Sequence, residues 1–120
     1  MLKNVLKKIK ELDILLVPFG VDEEELKANN NTCIVYNYAP IAKSNRFRLD
    51  IRIISNTLLD CIDIKENLEN LLVGVGDTVK VPGISSINFS PGTSAREFET
   101  NTVHLIFSIE IIGRKIQWVI

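Results

Sequence analysis

Between Phe47 and Ile53 apolar and charged residues alternate: Phe47, Leu49, Ile51 and Ile53 interleave with Arg48, Asp50 and Arg52. A period of two is that of a strand with one buried face. At Ser55-Asn56-Thr57 the period changes. These side chains can cap a helix, and beyond them Leu58, Cys61, Ile62, Leu68, Leu71 and Leu72 recur at helical spacing, interrupted at Lys65 and closed by Gly74. The stretch 47–74 therefore reads as a strand feeding an amphipathic helix. Two such faces are hidden by packing on each other, and the rest of the chain must widen the sheet and cover it.

Upstream, Leu2, Val5, Leu6, Ile9, Leu12 and Leu16 sit three and four apart, which predicts a helix from Leu2 to about Val17 with Lys3, Lys7, Lys8 and Lys10 on its wet side. Pro18 and Gly20 end it. Residues 21–31 carry Asp22-Glu23-Glu24-Glu25 and Asn29-Asn30-Asn31 and read as a solvated connection with room for a short helical turn. Residues 32–39, TCIVYNYA, are rich in strand formers and stop at Pro40. The short connection 40–46 makes this strand and the next a hairpin. After the helix, Ile84–Ser90 is a candidate strand. Residues 90–101 are polar and turn-forming, and are expected to project. Thr102–Ile112 alternates again, with Val103, Leu105, Phe107, Ile109 and Ile111 on one face and His104, Ser108 and Glu110 on the other, joined by Ile106 and Ile112. The sum is a single α+β domain over residues 1–120. It is a two-layer α/β sandwich, an antiparallel sheet of about four strands with two helices, in the order α-β-β-α-β-β.

The chain's 120 residues can bury a modest core. Its formal net charge is −1, so it lacks the basic excess of a dedicated nucleic-acid binder. Cys33 and Cys61 have apolar neighbours and no zinc spacing, which reads as two reduced, buried thiols. The opening MLKNVLKKIKEL has interspersed charge and does not read as a signal peptide, and no apolar run reaches the length of a membrane span.

The sequence is poor in chemistry. In VGVGDTVKVPG, 73–83, two glycines follow a helix rather than a strand and the third is missing, so the dinucleotide fingerprint fails. His104 is the only histidine. With Asp50 or Glu110 and Ser108 it sketches a hydrolytic site, but no nucleophile elbow accompanies it. No metal or cofactor motif is present. More notable is the outer sheet face, where Arg48, Asp50, Arg52 and Glu110 mix with Ile54, Ile106 and Ile112. Alternating charge and aliphatic surface suits a solvated sheet, or a subunit interface in which charge sets register and aliphatics give adhesion.

The opening helix, then TCIVYNYAP, then RFRLDIRIIS entering LLDCIDIKENLENLL, then TVHLIFSIEI, resembles the tail-terminator or tail-completion proteins of bacteriophages, prophages and phage-tail-like particles over nearly the whole chain. The chain departs from that family at Thr32-Cys33, where a proline is common. The resemblance implies a non-enzymatic structural protein without cofactors. It would assemble with itself as a ring, commonly a hexamer, in the host cytoplasm and in the particle. It would end tube growth by contact with the tail tube protein and dock the head connector where a head exists. DNA would pass through the lumen without sequence-specific contact, and no membrane is involved. Heterologous ring contacts are then expected from Arg48, Asp50, Arg52, Ile106 and Glu110 against a neighbour's helix or C-terminal Trp118 and Ile120. Tube or connector contacts are expected from Lys43 and Arg46 and from Arg96, Glu97 and Phe98. Three other readings stand beside it. One is a head-completion protein of related fold. Another is a nucleic-acid-binding domain stacking bases on Tyr36, Tyr38 and Phe47. The third is a small enzyme around His104.

Overall fold

The structure, a computed structural model, describes residues 2–41, 45–74 and 78–114. Its elements are α1 (Leu2–Ile9), a 3-10 turn (Lys10–Leu12), β1 (Leu16–Pro18), α2 (Glu23–Ala28), β2 (Cys33–Ile41), β3 (Arg46–Ser55), α3 (Leu58–Leu72), β4 (Ile84–Phe89), β5 (Thr93–Glu97) and β6 (Thr102–Gly113). The class is α+β as expected, but the sheet is mixed, with six strands and three helices among the described residues.

β3 and β6 are the central pair. Ten antiparallel partners, from Arg46 opposite Ile112 to Ser55 opposite Val103, fix their register. β2 flanks β3 as the hairpin partner, and β1 adds in parallel to β2. On the other side β4 pairs with the last part of β6 and β5 with its first part. β4 and β5 are thus successive pieces along one edge of β6. The break between them is held by Ser90, whose N–H donates to the Ser108 carbonyl at 2.8 Å. Gly92 beside it fits closely, since a Cβ there would sit 3.2 Å from the Ile106 carbonyl oxygen and push on it by a few tenths of an ångström. The polar stretch 90–101 therefore holds a strand at its centre, Thr93–Glu97, followed by a turn at 98–101. Its polarity follows from position: every residue of β5 is exposed.

One sheet face is dry. Phe47, Leu49, Ile51 and Ile53 of β3 and Leu105, Phe107, Ile109 and Ile111 of β6 meet Val5 and Ile9 of α1 and Cys61, Leu68 and Leu72 of α3. Thr57 caps α3 by accepting from the Asp60 N–H at 3.1 Å. The helix ends at Leu72 rather than Gly74, because Val73 turns extended and bridges to Val79. In β4 both Ile84 and Ile87 reach the core, an odd spacing for a strand, because the register shifts around Ser85.

The N-terminal helix is shorter than its periodicity predicts. It stops at Ile9, tightens through the 3-10 turn and ends at Asp13, whose φ of 57° is left-handed. Ile14 to Val17 then lead into the edge strand, and the N–H of Ile34 donates to the Leu15 carbonyl. The acidic run after it is the first turn of α2. There Asp22 accepts from the Glu25 N–H at 2.7 Å and Glu23–Glu25 face the positive end of the helix dipole. α2 lies on the opposite sheet face from α1 and α3. Its Leu26 closes a second, smaller cluster with Cys33, Val35 and Ile54. Ile54, expected on the open face, is buried there at 4% exposure. The two cysteines are free, buried and in different clusters, and burial pushes the Cys33 thiol up to about 11.

The two-cluster core gives a direct contrast in stability. Ile109→Ala, at a fully buried centre, is expected to cost about 2–5 kcal/mol in urea unfolding. Leu59→Ala, at 72% exposure, is expected to change stability by no more than about 0.5 kcal/mol.

Candidate functional site

Among the described residues the second sheet face is covered only at one end, by α2. Beyond it the register places Arg48 opposite Glu110, Asp50 opposite Ser108 and Arg52 opposite Ile106. All five expected interface residues that lie on this face, Arg48, Asp50, Arg52, Ile106 and Glu110, are therefore neighbours. The charges are partly tied to one another. Arg48 Nε donates to Asp50 Oδ1 at 2.8 Å along the strand, and Arg46 Nη1 lies 3.8 Å from Glu110 Oε1. At half-exposed sites such pairs add little stability, but they hold a patterned surface in place. Arg52 makes no ion pair among the described residues.

A cleft of about 480 Å³ opens on this face beside α2. Its floor includes Asn37, Asp50, Arg52, His104 and Ile106. One wall is the 19–21 turn and the other the β5–β6 hairpin at Glu97, Glu99 and Thr100. Burial is the main cause holding the His104 imidazole below its ordinary value. Arg52 acts in the same direction and Glu97 against it. Its Nε2 lies 3.2 Å from Thr102 Oγ1. The sketched hydrolytic site does not assemble: Ser108 is four residues along the same strand, about 13 Å away, and its hydroxyl donates to Ser90 Oγ.

Phe19 is the residue the sequence reading missed. It is 83% exposed at the rim of the cleft and holds a φ of 67°, a left-handed conformation that bulky side chains rarely adopt. The turn is locked by its own N–H donating to the Tyr36 carbonyl at 2.9 Å and by the Gly20 N–H donating to the Pro18 carbonyl at 2.8 Å. Strained backbone of this kind clusters at active sites, ligand clamps and switch regions. The only signal in the sequence was a phenylalanine between proline and glycine, which reads equally as a simple stop.

The expected tube and connector residues separate. Arg46 lies at the β2–β3 hairpin beside the end of β6, whereas Arg96, Glu97 and Phe98 lie on the β5–β6 hairpin at its beginning. Arg46 is opposite Ile112 and Arg96 opposite Val103, which puts about 30 Å of strand between the two groups. Arg96 Nη2 donates to Asn101 Oδ1 at 2.6 Å, and Phe98 is 83% exposed at the tip. Lys43, Trp118 and Ile120 lie outside the described residues. Of the proposed base-stacking aromatics, Phe47 is buried at 1% exposure, Tyr36 is half-buried against the core and Tyr38 is 48% exposed with its ring 5.4 Å from that of Phe47, so the three do not form one displayed stacking surface. Among the described residues no group of three or more His, Cys, Asp or Glu side chains could hold a metal ion, and no helix is long and apolar enough to cross a membrane.

No protein-family model matches the chain, and no curated protein does. Among solved structures, the fold is similar to that of a chain in the virion of a native gene transfer agent particle. The TM-score is 0.62 at 12% identity, and the match covers 91% of this chain and 90% of that one.

Two measurements probe the site. His104 binds its proton more weakly in the folded chain than when unfolded. Its contribution to stability is therefore full above pH 6.5 and is lost as pH falls below it toward the folded value. His104→Gln is expected to flatten this acid-side slope in denaturant titrations. Parallel slopes in wild type and variant would assign the loss to other groups. Phe19→Gly is expected to leave stability unchanged or raise it by up to about 1 kcal/mol, by relieving the left-handed strain.

Proposed function

We propose that this chain is a structural subunit of a phage-like virion or tail-like particle, and that it closes a ring on the end of the tail tube. The observation that carries the reading is the shared fold with a chain of the gene transfer agent virion, end to end in both chains. The form of the molecule supports the finer part. A terminator must hold two different structures at its two ends, and the chain presents one hairpin with Arg46 at one end of the sheet and another with Arg96 and Phe98 at the other. Between them lies the open face, where Arg48, Asp50, Arg52, Ile106 and Glu110 offer the mixed charge and aliphatic surface of a protein contact rather than a reaction centre. Phe19 gives that face an aromatic anchor of the kind that dominates interface energetics. Nothing in this role calls for a cofactor, and DNA would pass the ring without base-specific contact.

The test is polymerisation of the cognate tail tube protein with and without this chain, with tube lengths measured by electron microscopy. The expected outcome is shorter or fixed-length tubes that carry a terminal ring. Phe98→Asp and the pair Arg48→Glu with Arg52→Glu are each expected to weaken termination several-fold without unfolding the chain, since all three side chains are exposed. Tubes that grow to unchanged length with bare ends would overturn the reading in favour of a head-completion role.

A further inference from the structure

The helix layer carries an exposed apolar ridge and a half-buried apolar groove that do not match each other. On α3, Leu58, Leu59 and Ile62 are 42%, 72% and 37% exposed, although periodicity places Leu58 and Ile62 in the core. Cys61 aims α3 at the sheet, with Sγ donating to the Val103 carbonyl at 3.4 Å. At about 100° per residue, Leu58, Ile62 and Leu59 then fan out along one flank. Asp63 and Glu66 share that flank, both exposed and neither ion-paired among the described residues. Lys65 bounds it on the sheet side, where Nζ lies 4.9 Å from the Phe107 ring centroid.

On α1, Val5 and Ile9 face the core. A shallow apolar groove of about 400 Å³ runs along another side, lined by Leu2, Leu6, Lys3, Lys7 and Lys10. None of these lysines is ion-paired among the described residues, whereas Lys8 is held by Glu11 at 3.3 Å. The chain as a whole is near neutral, with a net charge of −1. It nevertheless keeps three free lysines around one aliphatic groove and two free carboxylates beside one aliphatic ridge.

We infer that these two flanks bind each other between copies of this chain: the α3 ridge of one copy seats in the α1 groove of the next. Apolar surface meets apolar surface, and each rim of charge meets its opposite. Like charges oppose the two isologous alternatives, groove on groove and ridge on ridge. The contact is heterologous, so it propagates head to tail and closes if the rotation per copy allows. It assigns the neighbouring copy to the helix layer and leaves the open sheet face and both hairpins to other components. The inference rests on the ring reading for its closure, not for the contact itself.

The test is cysteine cross-linking. Lys7→Cys and Glu66→Cys are placed in one chain, whose native thiols are both buried, and treated with a short bismaleimide at the highest soluble concentration. A ladder of covalent oligomers is expected from the double variant. Each single variant alone is expected to stay monomeric, and an equal mixture of the two single variants should stop at the dimer. High salt should cut the yield several-fold. Leu59→Asp in the double-variant background should abolish the ladder while leaving the far-ultraviolet circular dichroism unchanged. A monomer-only pattern from the double variant, or dimers from either single variant, overturns the inference. If the ladder forms but tube growth is unaffected, the contact stands and the terminator reading fails. If tubes are capped without a ladder, the reverse holds.

Discussion

The pairing of β3 with β6 is the constraint from which the rest of the molecule follows. Once Leu49 lies opposite Ile109 and Ile51 opposite Phe107, every second residue of both strands must enter one face. That face is apolar without interruption from Phe47 to Ile53, so it needs a lid, and α1 and α3 provide it. The alternate residues are then committed to the other face in a fixed order, with Arg48 beside Glu110 and Arg52 beside Ile106. The patterned open face is thus a consequence of the same register that makes the core. A slip of one residue would bury the arginines and destroy both at once.

The second face is not left wholly open. α2 covers one end through Leu26 on Cys33, Val35 and Ile54, and this cover creates the cleft between the 19–21 turn and the β5–β6 hairpin. The cleft holds charge of both signs, a neutral-leaning histidine whose ring meets the Thr102 hydroxyl, and a strained aromatic rim. Phe19 and Phe98, both 83% exposed, stand on separate turns, Phe19 after the edge strand β1 and Phe98 at the β5–β6 turn.

Much of this was legible in the alternation of Phe47–Ile53 and of Val103–Ile111, because a two-residue period admits one reading when one face is dry. The open-face residues follow from the same alternation. Other features were hidden for physical reasons. Leu12 to Val17 continues a helical stripe in sequence, yet a left-handed Asp13 breaks it and turns the remainder into a parallel edge strand. Residues 93–97 are a strand without a buried face, so no hydrophobic period marks them. Ile84 and Ile87 lie on one face only because Ser85 bulges. The exposure of Leu58 and Ile62 was hidden most completely. A stripe that leads to a core and a stripe that leads to a neighbour look alike until the sheet beneath the helix is known. Leu59 widened the stripe beyond what one buried face needs.

In the proposed assembly the surfaces divide by direction: flanks for its own copies, ends for unlike neighbours and a patterned face between. The most direct measurement of that account is cryo-electron microscopy of the particles made in cells that express this chain. The account predicts several copies closed in a ring at one end of the tube, with the Arg46 hairpin and the Phe98 hairpin pointing along opposite directions of the tube axis. Particles that lack the chain, or that carry it as isolated copies with both hairpins in solvent, would contradict it.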